Sequence, residues 1–148
     1  MGNPSSEEAI PAEAKTADPF RVRTLVVDDV AIARSTTQLV LESKKDIQLV
    51  GTAADGFEAL QQVRSLKPDL VVMDVMMPVM NGLETAKRLL EAVPSTRIIM
   101  ISGDDSDEAR QACGEAGTHG FVPKDRIYQE LLPRDSPHLR LTPGNPRS

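Results

Sequence analysis

Residues 70–82 read Leu-Val-Val-Met-Asp-Val-Met-Met-Pro-Val-Met-Asn-Gly, four apolar residues that run into an acid and then a turn marked by Pro78 and Asn81-Gly82. The unbroken run Leu70 to Met73 is the pattern of a strand covered on both faces, because a half-exposed strand would alternate apolar and polar positions. A carboxylate at the end of such a strand is costly unless something uses its charge, so Asp74 is the first functional candidate. Capping the turn that follows is the plainer reading of the same residue.

Working outward, β-branched apolar runs recur at Val22 to Val27, Ile47 to Ala53, Ile98 to Ile101 and Gly120 to Val122. Segments of helical period separate them. The second and third carry the clearest stripes, Ala59, Leu60, Val63 and Leu66 in one and Leu83, Ala86, Leu90 and Val93 in the other. The first, Ala31 to Ser43, sets Ile32, Thr36, Leu39 and Val40 on one side. The fourth, Ser106 to Ala116, has only Ala109, Ala112, Cys113 and Ala116 to bury, and small residues bury little area per turn, so it is the least firmly docked. A short fifth helix, Asp125 to Leu132, is stopped by Pro133. Five β-then-α units predict a doubly wound α/β fold, with helices on both faces of a five-stranded parallel sheet.

The chain has 148 residues, 40% hydrophobic and 26% charged, which suits one globular domain with tails. Residues 1–19 hold three prolines and one large apolar residue after the initiator, and residues 133–148 hold four prolines without apolar period. Both read as disordered tails around a domain at 20–132. The net charge of −5 and the absence of clustered Lys and Arg argue against direct nucleic-acid binding. The N-terminus lacks a signal-peptide pattern, no apolar run approaches the ~18 residues of a membrane span, and the single Cys113 precludes an internal disulfide. Cys113 reads as a small core residue, and a cytoplasmic location is expected.

Doubly wound sheets carry their sites at the carboxyl ends of the strands, beside the point where strand order reverses. At those ends stand Asp28 and Asp29, Asp74, Ser102 with Gly103, and Lys124. Each has an ordinary reading: the acidic pair as a helix cap, Ser102 as a turn residue, Lys124 as a solvated charge. Together they place three carboxylates, a hydroxyl and an ammonium on one edge. Close carboxylates repel unless a divalent cation sits among them, and hard oxygen donors in an incomplete cage suit Mg²⁺ (or Mn²⁺). The set fits phosphoryl transfer to a carboxylate.

The motifs LVVDD at 25–29, VVMDVMMPVMNG at 71–82, MISG at 100–103 and FVPKD at 121–125 resemble the receiver domain of bacterial two-component response regulators. That resemblance implies a flavodoxin-like sheet of order 2-1-3-4-5. It implies Asp74 as phospho-acceptor, Asp28 and Asp29 as the acidic pair that holds Mg²⁺ with the backbone carbonyl of Met76, and Ser102 and Lys124 as partners of the phosphoryl oxygens. Phe121 falls at the family's switch aromatic, paired in function with Ser102. The implied partners are a sensor histidine kinase or phosphotransfer protein and a downstream effector on the face of the fourth helix, fifth strand and fifth helix. The implied state is a monomer or phosphorylation-dependent dimer, acting as an acceptor and not as a turnover enzyme. The sequence departs from the family in placing Pro123 before Lys124 and Asp125 after it, so the family's common cis peptide after the lysine is not expected. The apolar Met76 cannot orient a hydrolytic water, which predicts a long-lived phosphoryl group. Rival readings are a phosphorylation-independent pseudo-receiver, the receiver part of a DNA-binding regulator, and an aspartate-nucleophile phosphatase, which expects a second Asp where Met76 stands.

Overall fold

In the computed structural model, residues 21–77 and 80–130 are described, so the two expected tails, Pro78, Val79 and the stop at Pro133 lie outside the described residues. The chain runs β1 (Val22–Val27), α1 (Ala31–Glu42), β2 (Ile47–Ala53), α2 (Gly56–Leu66), β3 (Leu70–Asp74), α3 (Gly82–Ala92), β4 (Arg97–Ser102), α4 (Asp107–Glu115) and β5 (Gly120–Pro123). A 3₁₀ turn at Lys124–Arg126 then leads into the short α5 (Ile127–Glu130). All strands are parallel, in the order β2-β1-β3-β4-β5.

Local chemistry fixes the helix starts. Asp55 Oδ1 accepts from the Glu58 N–H at 2.8 Å while Glu58 Oε1 accepts from the Ala54 N–H at 2.8 Å, a reciprocal cap on α2. Asn81 caps α3 through the Glu84 N–H, and Ser106 caps α4 through the Ala109 N–H. The α1 helix has no side-chain cap of its own at Val30.

The sheet divides the core in two. One layer sets Leu25, Val27, Val71, Met73, Ile98 and Met100 against Ala59, Leu60 and Val63 of α2 and Ala86 and Leu89 of α3, with Cys113 of α4 at its edge. The other sets Val26, Leu70, Val72, Ile99, Ile101 and Val122 against Val40 and Leu41 of α1 and, more loosely, Ile127 of α5. The α4 helix is as thin as its composition predicts, burying Cys113 within its span and Ala116 just after it.

The α1 helix differs from expectation. It buries Thr37, Val40 and Leu41, while Ile32 is 76% and Leu39 is 68% exposed. The side chosen from apolar count thus faces outward except for Val40, and a buried threonine takes the place of an isoleucine. Strand ends also extend further than the apolar runs, because Asp74, Ser102 and Pro123 continue the ladders although polarity or ring chemistry marks them as boundaries.

Candidate functional site

Register assembles the site. Val27 pairs with Met73, Asp74 with Ile101, and Ser102 with Pro123, so each strand delivers its next residue to the same edge. Asp28 and Asp29 leave β1 at the point where the order reverses between β1 and β3, Asp74 ends β3, Ser102 ends β4, and Lys124 follows β5. The sequence-predicted residues therefore converge.

The Lys124 Nζ donates to Asp74 Oδ2 at 2.9 Å, an ion pair in which the carboxylate is almost wholly buried and the ammonium about one-third exposed. One carboxylate oxygen from each of Asp28, Asp29 and Asp74 lies within 4.8 Å of the others. Like charges so close raise the cost of ionisation. Burial first, then Asp74 and Asp29, holds the Asp28 carboxyl above its usual range despite the opposing Val30 N–H and Lys124 charge. Burial alone would lower the Lys124 pKa, but the hydrogen bond and charge of Asp74, with Asp28 and Asp29 behind it, raise it, so the lysine stays cationic at neutral pH.

The turn reading of Ser102 and that of Asp74 are also realised, the acidic pair does not cap α1 and Lys124 is ion-paired rather than solvated, and local bonds orient the site. Asp28 Oδ1 accepts from the Val30 N–H at 2.9 Å, at the uncapped start of α1. Asp74 Oδ1 accepts from the Met76 N–H at 3.0 Å. Ser102 Oγ accepts from the Asp104 N–H at 3.0 Å, and in this structure its hydroxyl makes that local turn. Each local bond fixes a rotamer. The exception is Asp29, whose Oδ1 is buried without a hydrogen-bond partner. A buried orphan carboxylate oxygen beside two further carboxylates fits a hard divalent cation, and the charge count agrees: three carboxylates and one ammonium leave two negative charges.

Two contributors escape a reading by residue type. Gly82 donates its N–H to the Val75 carbonyl at 2.8 Å, and a Cβ there would stand 2.4 Å from the Asp74 carbonyl oxygen and 2.7 Å from Val75 Cα. Only glycine lets α3 start directly beneath the acceptor. Arg34 of α1 donates from Nη1 to the Asp28 carbonyl at 2.7 Å, bracing the backbone of the acidic pair. The Asn-Gly pair signals the first as a turn; no sequence signal marks the second. Phe121 lies half-buried in β5 under the Arg110 guanidinium, and the Met76 side chain is 70% exposed. No cis peptide occurs among the described residues.

Residues 24–134 match the family model described as the response regulator receiver domain. Among curated relatives, the chain is 31% identical over 112 residues to the uncharacterized transcriptional regulatory protein YxjL of Bacillus subtilis, covering 76% of this chain and 51% of that protein. It is 41% identical over 113 residues to a protein-glutamate methylesterase/protein-glutamine glutaminase of Methanococcoides burtonii, covering 74% and 32%. The chain thus spans from about a third to about half the length of these relatives. The response regulator domain of Thermotoga maritima CheB superposes with a TM-score of 0.70 at 32% identity, covering 76% of this chain and 91% of that one. CheY in the CheX-CheY-BeF₃-Mg²⁺ complex of Borrelia burgdorferi superposes at 0.68 with 26% identity, covering 80% and 91%.

Proposed function

This chain belongs to the response regulator receiver domain family, and from that premise we propose that it accepts a phosphoryl group on Asp74 from a phosphohistidine of a sensor kinase or phosphotransfer protein. The observation that carries the reading is the buried Asp74 carboxylate held between Lys124 Nζ at 2.9 Å and a cluster with the Asp28 and Asp29 carboxylates. A carboxylate oxygen of Asp74 attacks phosphorus in line; the O–P bond forms as the N–P bond breaks, and the freed imidazole takes up a proton. Lys124 pairs with one phosphoryl oxygen and Ser102, once its hydroxyl leaves the Asp104 turn, donates to another. Asp28, Asp29, Asp74 and the Met76 carbonyl would hold Mg²⁺, which when bound neutralises charge gathering on the phosphoryl oxygens. The Borrelia burgdorferi relative, solved with BeF₃ and Mg²⁺, supports this assignment.

Close in sequence to Asp29 and Asp74, Val30, Ile32 and Met76 are exposed apolar residues, suited to a partner that must bring its histidine to Asp74. The reading gives the effector the α4–β5–α5 face, with Phe121 and Ser102 as the switch pair, and places the chain in the cytoplasm as a monomer or phosphorylation-dependent dimer. Incubation with acetyl phosphate and Mg²⁺ should add the mass of one phosphoryl group to the intact protein. The Asp74→Asn variant should not gain it. No gain in the wild type overturns the reading in favour of a pseudo-receiver, and steady phosphate release from unrelated phosphoesters overturns it in favour of a phosphatase. Because Met76 cannot orient water, the aspartyl phosphate should outlast many seconds in native buffer; decay within seconds contradicts that role for Met76.

A further inference from the structure

Beyond the acidic cluster, the junction of α4 and β5 carries a contact that the proposed phosphoryl chemistry does not use. Arg110 of α4 lays its guanidinium over the Phe121 ring, with Cζ 4.5 Å from the ring centroid. Asp107, Glu108 and Glu115 share its helix, yet among the described residues Arg110 forms no ion pair. Its exposed cation lies over the face of the aromatic ring. The contact matters because α4 buries so little, only Cys113 within its span and Ala116 just after it, so the Arg110 stack adds to a thin attachment.

Phe121 itself is half-buried against the core layer that holds Met100 and Cys113, and it pairs in register with Met100, two residues before Ser102. Past Ser102, the chain opens to solvent at Gly103, where a Cβ would meet nothing within 4 Å. Ring and hydroxyl thus sit on the paired strands β4 and β5, with the cation of α4 over the ring.

We propose that Arg110 is a positioning residue that latches Phe121 in its half-buried resting orientation and pins α4 to β5, so that reshaping of the α4–β5–α5 face has to break this stack. The inference rests on the phospho-acceptor reading above and extends it to how the output face is restrained. An exposed cation–π contact biases a two-state equilibrium by about two- to fivefold. Full switching from 1:99 to 99:1 needs about 10⁴-fold. The latch therefore sets the level of spontaneous activation without blocking the response.

The test replaces phenylalanine with 4-fluorophenylalanine and follows the Phe121 ¹⁹F resonance, assigned by its loss in Phe121→Leu, with and without beryllofluoride and Mg²⁺. In free protein, Arg110→Ala should move the resonance part of the way toward its beryllofluoride-bound position, a two- to fivefold rise in the active-like population. Arg110→Lys should restore most of the resting position. Labelling of Asp74 by acetyl phosphate should stay near wild type, because Arg110 is exposed on α4 and is not among the residues that form the acceptor site. An unmoved resonance in Arg110→Ala overturns the latch. A wild-type protein that labels at Asp74 but whose Phe121 resonance ignores beryllofluoride also overturns the latch and leaves the acceptor reading standing. A wild-type protein that neither labels nor binds beryllofluoride overturns both.

Discussion

On the β3 side of the site, a Cβ on Gly82 would press to 2.4 Å from the Asp74 carbonyl oxygen, whereas on the β4 side a Cβ on Gly103 would meet nothing within 4 Å. The same contrast holds for the helices that follow. The α3 helix packs Ala86 and Leu89 fully into the core, while α4 rests on Cys113, Ala116 and the Arg110 stack. The difference separates two tasks. Under the proposed function, a carboxylate that meets phosphorus in line needs a backbone held from beneath, and a surface that changes shape needs a helix with little to lose.

The largest expected contrast is between the two helices. Leu89→Ala should cost about 2–5 kcal/mol in denaturant-derived stability, and Cys113→Ala about 1 kcal/mol. Equal costs would show that α4 is as firmly docked as α3. Next comes the proposed Mg²⁺ at the β1–β3 corner, which at about 100 times its dissociation constant should stabilise the protein by about 2.7 kcal/mol. That gain should vanish in Asp29→Asn, measured by thermal melts against EDTA. The glycines give a smaller and sharper contrast, with Gly82→Ala destabilising by about 1–3 kcal/mol and Gly103→Ala staying within about 0.5 kcal/mol.

The smallest effect is one of pH. Burial, with the neighbouring carboxylates, raises the folded pKa of Asp28 above its unfolded value, so its stabilising contribution is full below the ordinary 3.8 and is lost as pH rises through the raised value. In EDTA, Asp28→Asn should therefore be more stable than wild type at neutral pH, with the advantage shrinking on acidification. A variant no more stable than wild type at pH 7 would show that Asp28 is not held against its own charge.

Much of this was legible from residue types in order. Apolar runs separated by helical periods gave the layered parallel sheet, and acids, serine and lysine at the run ends gave the candidate site, because strand ends are where such a fold gathers its loops. The resemblance supplied the strand order. Asp28, Asp74 and Ser102 each also make a local bond, and Asp29 and Lys124 have ordinary surface readings, so no single residue announced the site; their joint position did. The α1 face misled because Ile32 and Leu39 look like core by composition. Whether an apolar side chain lies inward depends on the angle at which its helix meets the sheet, and here Thr37 and Leu41 face in instead.

The sequence by itself determined the alternation of strands and helices, the carboxyl-end chemistry and the thinness of α4, since each follows from local composition and period. Only the tertiary structure decided which α1 residues stay outside, that Gly82 must have no Cβ, that Asp29 keeps an oxygen without a partner, and that Arg110 lies over Phe121. These are distances between residues far apart in the chain or across a turn, fixed by how closely packed elements approach one another, and residue type and period alone did not reveal them.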